Sequence, residues 1–301
     1  MTVVHVRASA KINLHLGVGA PGPDGFHPLV TVYQAISLYD DVEAKPGDAV
    51  RVDPAPYVDV TTVPLDHTNI ARRAVEALGR RHDRRLGADL AIRKEIPVAG
   101  GMAGGSADAA AALVAADRLW DLGSDDETLL GAAADVGSDV PFALVGGTAL
   151  GTGRGELIAP VVDDATWSWV VVPSLTGHLS TPEVYRRWDE LHPDASSEPA
   201  PADLVLKALA SGSAATLAAA LHNDLQAAAL DLRPDLGDVI ERGEAEGALR
   251  GLVSGSGPTC VFLCESGERA RAVAGGLLGA GHDTVLTAYG PAPGAHVVEP
   301  G

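Results

Sequence analysis

Cysteine, lysine and aromatic residues are all scarce in this sequence, and each scarcity removes a class of explanation. Cys260 and Cys264 are the only cysteines, so no disulfide framework staples the 301 residues, and no Cys/His cluster has zinc-site spacing. Their four-residue separation inside an apolar run reads as two buried hydrophobes. Positive charge is thin as well, with a net charge of −18. That argues against nucleic acid as a partner, since affinity for a phosphate backbone comes from Lys and Arg displacing counterions. Any phosphate site must therefore be local, built from backbone N–H groups, a few cations and a metal ion. No stretch approaches the ~20 apolar residues needed to cross a bilayer. Met1 to Arg7 shows no basic leader ahead of an apolar run, so a cytoplasmic protein without a membrane partner is the expectation. The lysines are Lys11, Lys45, Lys94 and Lys207 alone, which makes Lys11, inside an apolar segment, informative.

Apolar residues make up 46% of the chain, enough for one large domain or two ordinary ones sharing a cleft. The 35 glycines and 20 prolines are spread among periodic segments, which indicates a folded, loop-rich globule. Alternation predicts strands at 3–8, 14–19, 30–38 and 90–96, with strand and turn over 42–56. Helical periodicity covers 69–80, and an Ala-rich helix spans 108–120. Ser124 and Glu127 have the spacing of a capping box opening the next helix, with Gly137 as its stop. Residues 140–152 return as an apolar, Gly-broken segment. Beyond about 160 the pattern gives a strand at 167–172, a Pro/Ser/Thr loop, and a helix at 182–191. Residues 192–202, rich in Pro, Ser, Asp and Glu, read as a flexible excursion. Helices follow at 203–210, 214–229 and 235–247, strands at 249–253 and 259–263, then a helix at 267–280 and a strand at 283–288. This order suggests two α+β halves meeting near residue 160.

Four clusters carry chemistry. Pro97-Val98-Ala99-Gly100-Gly101-Met102-Ala103-Gly104-Gly105-Ser106-Ala107 is a glycine loop running into a helix. Glycines admit close approach of an anion, and a helix N-terminus presents unsatisfied N–H groups with a positive dipole end. The hydroxyl of Ser106 is a candidate ligand for phosphate or for the Mg²⁺ that accompanies it. The loop lacks the Gly-Lys-Ser/Thr ending of a Walker loop. A literal G-x-G-x-x-G at Gly17, Gly19 and Gly22 fails as a dinucleotide site, because Pro21, Pro23 and Gly25 stand where a helix should begin. Lys11 and Asn13, two apart on a strand, share one face, with His15 beyond them. A buried lysine at a phosphate-transfer site neutralises developing charge and keeps a carboxylate ionised. Asp139 lies between Gly137 and Pro141, placed to orient an alcohol or accept its proton. Ser254-Gly255-Ser256-Gly257-Pro258-Thr259 has the composition of a backbone nest for an anion. Taken singly, Lys11 reads rather as a surface lysine and Asp139 rather as a helix cap, and 254–259 equally as a hairpin turn.

Together, and in this order, the clusters resemble the GHMP kinase superfamily, named for its galactokinase, homoserine, mevalonate and phosphomevalonate members. Within it they are similar to a branch of the non-mevalonate isoprenoid pathway whose acceptor is a sugar alcohol linked to cytidine diphosphate. Ala8-Ser-Ala-Lys-Ile-Asn-Leu14, Asp24-Gly-Phe-His-Pro-Leu29, Val136-Gly-Ser-Asp-Val-Pro-Phe142, Ser180-Thr-Pro-Glu-Val-Tyr185 and His222-Asn-Asp-Leu-Gln226 carry the likeness across the chain. The resemblance implies an α+β, two-domain fold. Its N-terminal, ATP-binding α/β domain would span 1–159 and its ferredoxin-like substrate-side domain 160–301. ATP and Mg²⁺ would be required, and the protein would be a monomer or weak homodimer. Lys11 and Asp139 would form the catalytic pair, with Asn13 beside the acceptor's tertiary 2-hydroxyl. The 97–107 loop, with Gly255, Ser256 and Gly257, would hold ATP. His27 would bind cytosine, Phe26 and Tyr185 would sandwich it, and Thr181 and Pro182 would line the same pocket. Ala99 and Ala103 stand where relatives often carry Gly, which implies that neither position needs a positive φ. Phe26 replaces a frequent Tyr.

Overall fold

Small apolar residues at every second position set the first strand, β1 (Val4–Val18), and Val6, Ala8, Ala10, Ile12 and Leu14 are all buried along it. Two strands were expected here, because Lys11, Asn13 and His15 interrupt the apolar pattern. The strand is continuous because its polar face is covered too: Ser9, Lys11, Asn13 and His15 are buried. The computed structural model describes residues 2–98, 100–174 and 179–299, so the Pro/Ser/Thr loop expected after 172 lies partly outside the described residues.

The chain continues through β2 (Leu29–Lys45), β3 (Val50–Pro54), α1 (Ile70–Arg81), β4 (Asp89–Lys94) and α2 (Gly104–Leu119). It then forms α3 (Asp126–Ala134), α4 (Val140–Val145), β5 (Thr148–Thr152) and β6 (Leu157–Val161). Asn69 caps α1, its side chain accepting from the N–H groups of Ala71 and Arg72. The cap of α3 is Asp125, which accepts from Thr128 N at 2.9 Å, and not the expected Ser124. Ser124 Oγ instead meets His82 Nε2 at 2.7 Å, so it is withdrawn from capping.

The second half opens with β7 (Trp167–Val172) and α5 (Thr181–Leu191), followed by α6 (Asp203–Ser211), α7 (Ala214–Ala220), β8 (His222–Asn223) and α8 (Gln226–Leu232). It ends with α9 (Asp235–Ala245), β9 (Arg250–Val253), β10 (Cys260–Cys264), α10 (Gly267–Gly279), β11 (Leu286–Gly290) and β12 (His296–Val297). A capping box of Ser180 and Glu183 opens α5. The single helix expected over 214–229 is broken at β8, which pairs in parallel with His15 and Leu16 of β1. Tertiary pairing overrides the helix propensity of the alanines around it.

Two sheets result. The first runs β12-β1-β2-β4-β3; β5 also pairs with β2 and carries β6, while β8 pairs with β1. The alanines at 109–112, with Leu113, Ala115 and Ala116, are buried in α2 and let this helix lie close on β1 and β2. The second sheet runs β11-β7-β10-β9, antiparallel throughout. Numbered along the chain, that order is 4-1-3-2, the ferredoxin-like arrangement. The sheets are not segregated at residue 160, since β8 and β12 return from the second half to β1.

The segment 192–202 is irregular but held. Ala20 N donates to Ser196 O at 2.7 Å. A Cβ on Gly17 or Gly19 would lie 2.4 Å from Ala200 O or 2.5 Å from Ser197 O. Close backbone contact therefore accounts for the first two glycines of the stray G-x-G-x-x-G, and 192–202 packs against the end of β1 instead of standing off as an excursion.

Candidate active site

A cleft of about 1040 Å³ runs from the start of α2 to the loop at Phe26, lined by both halves of the chain. At its centre the expected pair converges. Lys11 Nζ lies 3.9 Å from Asp139 Oδ2 and donates to Asn13 Oδ1 at 2.8 Å. Asn13 Nδ2 donates to Thr31 Oγ1 at 2.8 Å, and Thr31 donates onward to His15 O, so the polar face of β1 is a bonded network. Asp139 occupies the N-cap position of α4 but makes no side-chain cap bond, which frees its carboxylate for the cleft. Burial pushes the Lys11 ammonium below its usual value, and the Asp139 charge opposes that.

The glycine loop reaches the same point. Lys11 N donates to Met102 O at 3.2 Å, tying the loop to β1. Gly100, Gly101, Ala103, Gly104, Gly105 and Ser106 line the cleft, as do Gly255, Ser256 and Gly257. The two glycine segments touch: Ser254 Oγ donates to Gly101 O at 3.1 Å, and a Cβ on Gly101 (φ 75°) would fall 2.1 Å from Ser254 O. Four expected members stand apart from the cleft wall. Met102 and Ala107 are buried in the core, and neither Pro97 nor Val98 lines the cavity. Ala99 lies outside the described residues. Ala103 corrects an expectation outright, because it adopts φ 56°, ψ 34° at the N-cap of α2, in the left-handed region.

Beneath this loop sits a buried charge cluster that sequence reasoning missed. Lys94 bonds to Asp40 and lies 3.0 Å from Asp108, and all three are buried. Asp40 Oδ1 also accepts from the N–H groups of Glu95 and Ile96. A Cβ on Gly104 would lie 2.9 Å from Lys94 Nζ, so the ammonium sits directly under the helix start. Burial would lower Lys94, but Asp108 and Asp40 outweigh it and raise it; burial holds the Asp108 carboxyl well above the usual range.

At the other end, His27 Nδ1 faces Gly19 O at 2.9 Å and therefore carries the hydrogen. Its ring packs on Tyr185 at 4.8 Å and on Trp188. Thr181 Oγ1 meets Ser256 Oγ at 2.9 Å, joining α5 to the late glycine loop, and Pro182 lines the cleft beside it. Phe26 is exposed, and one of its faces is already taken: the Arg154 guanidinium lies 3.6 Å over the ring and bonds Asp24 at 2.8 Å. The expected two-ring sandwich therefore has only one free face of Phe26. Tyr33, Arg154 and Asn223 were not anticipated. Asn223 donates to Val253 O and Gly255 O, fixing the late glycine loop, which gives the His222–Gln226 stretch a physical task.

Models of the GHMP kinases N terminal domain and the GHMP kinases C terminal match residues 69–147 and 205–282. The chain belongs to the GHMP kinase family. It is 64% identical to 4-diphosphocytidyl-2-C-methyl-D-erythritol kinase of a Nocardioides species, over 97% of this chain and 99% of that one. It is 53% identical to the protein of that name from Thermobifida fusca, over 99% of each. Among solved structures, a 4-(cytidine 5'-diphospho)-2C-methyl-D-erythritol kinase superposes with a TM-score of 0.76 at 30% identity, over 95% of this chain and 98% of that one. Homoserine kinase from Cytophaga hutchinsonii gives 0.74 at 18% identity, over 99% and 98%, and bears on fold alone.

Proposed function

We propose that this chain transfers the γ-phosphoryl group of ATP to the 2-hydroxyl of 4-diphosphocytidyl-2-C-methyl-D-erythritol, giving the 2-phosphate and ADP, in the non-mevalonate route to isoprenoid precursors. The observation that carries this reading is the meeting of Lys11, Asn13 and Asp139 inside one cleft. That cleft joins a glycine-lined helix start to a pocket of Phe26, His27 and Tyr185. In this reading residues 1–159 form the nucleotide-binding unit and 160–301 the substrate-side unit, in a cytoplasmic monomer or weak homodimer.

The phosphates of ATP rest on the N–H groups of the 100–106 segment and the first turn of α2, where anions are favoured. The donor set fits Mg²⁺ that arrives with them: among the described residues no cluster of His, Cys, Asp or Glu could hold a metal alone, but the Ser106 hydroxyl lines the cleft at the start of α2. Ser106 would hold the ion beside those phosphates, and the ion would neutralise charge on the transferred group. Asp139 accepts a hydrogen bond from the acceptor hydroxyl and takes its proton as the new O–P bond forms and the bond to ADP breaks. Lys11 holds that carboxylate ionised and offsets charge on the phosphoryl oxygens. One free face of Phe26 and the Tyr185 ring hold the base, with His27 at its edge.

Release of ADP, followed with the cytidyl substrate and separately with the bare sugar alcohol, tests the reading. Turnover is expected only with the cytidyl compound. Equal rates with both, or ATP consumption only with homoserine or mevalonate, would overturn it.

A further inference from the structure

We infer that Tyr33 is a positioning residue: its hydroxyl holds one oxygen of Asp139 so that the other is turned toward Lys11 and the acceptor alcohol. The inference rests on the reading that Asp139 handles that alcohol. Tyr33 is buried on β2, and its hydroxyl donates to Asp139 Oδ1 at 3.1 Å. The remaining oxygen, Oδ2, is the one 3.9 Å from Lys11 Nζ. Asp139 needs such a partner. It makes no bond to the N–H groups of its own helix and hangs from a short side chain with two free torsions.

Tyr33 itself is held on three sides. Its ring packs against Phe142 at 4.9 Å between centroids, and Lys11 Nζ lies 5.6 Å from the ring centre. The turn between β5 and β6 closes the third side: a Cβ on Gly155 (φ 100°) would fall 2.3 Å from the Tyr33 oxygen. Glycine is required there so that the backbone can approach the hydroxyl and stop it swinging away. Burial and the nearby Asp139 charge both push the phenol well above its ordinary value, so the hydroxyl keeps its hydrogen and remains a donor. A donor locked by packing presents the carboxylate ready-oriented, with no reorganisation needed at the moment of transfer.

Tyr33→Phe in the full chain tests this, because it deletes the hydroxyl and keeps the ring contacts. With a melting temperature near wild type, kcat is expected to fall about 10- to 100-fold, with KM for ATP and for the acceptor little changed. The same change is then made in Asp139→Asn and followed by single-turnover with enzyme in excess; there it should cost no more. Unchanged kcat overturns the proposal. A raised acceptor KM at constant kcat also overturns it, by making the hydroxyl a substrate contact. Equal losses in both backgrounds overturn it too, by assigning the effect to ring packing. Wild-type turnover measured beside these variants tests the functional reading separately: a wild type that fails on the cytidyl substrate but phosphorylates another alcohol leaves the cycle to be run on that alcohol.

Discussion

At the end of the cleft that the proposed function assigns to phosphoryl transfer, Lys11, Asn13 and Tyr33 are 7%, 3% and 2% exposed and bonded to one another or to Asp139, whereas at the end it assigns to the base Phe26 is 53% exposed and rests on Arg154. The first end is fixed by strands of a central sheet; the second is a loop following a glycine turn, with its neighbour Tyr185 delivered by a helix of the other half. Phosphoryl transfer depends on groups placed before the reaction, since misplacement by an ångström is costly. Stacking on a flat base tolerates more freedom, because closure on the ligand completes it. Changes at the first end should therefore appear in kcat and those at the second in KM.

The sharpest break of this contrast is at the pair itself. Asp139→Ala and Lys11→Met should each lower kcat by at least about 10³-fold, with folding intact by circular dichroism. Lys11→Met should also leave stability at neutral pH equal or higher. The lysine's folded value lies below its unfolded one, so its site contributes stability above the unfolded value and loses it as pH falls through the folded value. At neutral pH the burial cost stands, and Met removes it. Near-native turnover by a folded Asp139→Ala would collapse the distinction between the two ends.

A second break lies beneath the glycine loop. Lys94→Met strands the Asp40 carboxylate in the core and should destabilise the fold by about 3–5 kcal/mol in denaturant titrations. Asp108→Asn should cost far less, because burial already raises Asp108 toward its neutral form and its Oδ1 has no partner among the described residues. The sign with pH follows. A raised folded value gives stability that is full below the unfolded value and lost as pH climbs through the folded one. The Asn variant lacks that loss, so the stability difference between variant and wild type should shift in favour of Asn as pH rises. A difference that shifts the other way would mean Asp108 is held as an anion.

Milder effects are expected at the exposed end. Phe26→Ala should raise the acceptor KM about tenfold, from the loss of one stacking face, with kcat within a factor of two. Arg154→Ala should raise it by a few-fold only, since a cation on an exposed ring contributes about 0.5–1 kcal/mol. Steady-state kinetics with the cytidyl substrate reads both. A drop in kcat from either would show that the loop also places the reacting groups.

How much of this was legible depended on whether the signal was local. Lys11, Asn13, Asp139 and the glycine segments could be read because their residue types are unusual for their surroundings and sit in an order that resembles a known family. β1 as one strand could not, since Lys11, Asn13 and His15 look like a break until the second half of the chain is known to cover them. The same blindness hid Lys94 among the charges of 93–95, whose partners Asp40 and Asp108 are distant in sequence. Tyr33 falls unmarked within the strand read at 30–38, and only the fold brings its hydroxyl to Asp139. The Ser124–Glu127 spacing was misread because Asp125, one residue on, competes for the same cap.

Ala103 offers the smallest test and bears on the fixed end. Its left-handed conformation at the N-cap of α2 is one that an alanine adopts at a cost of about 1 kcal/mol, through crowding of Cβ against the backbone. Glycine relieves that crowding but adds freedom to the unfolded chain, which takes back part of the gain. Ala103→Gly should therefore stabilise the protein by about 0.5 kcal/mol, read as a small rise in the denaturant midpoint at constant slope. Because Lys11 N and Ser254 Oγ both hold this loop by its carbonyls, the geometry presented to ATP should survive, and KM for ATP should stay within about twofold. A stabilised variant with a much weaker ATP affinity would mean that the methyl group itself keeps the loop in its binding shape, so that the rigidity of the phosphoryl end comes from strain in the loop as well as from the bonds around it.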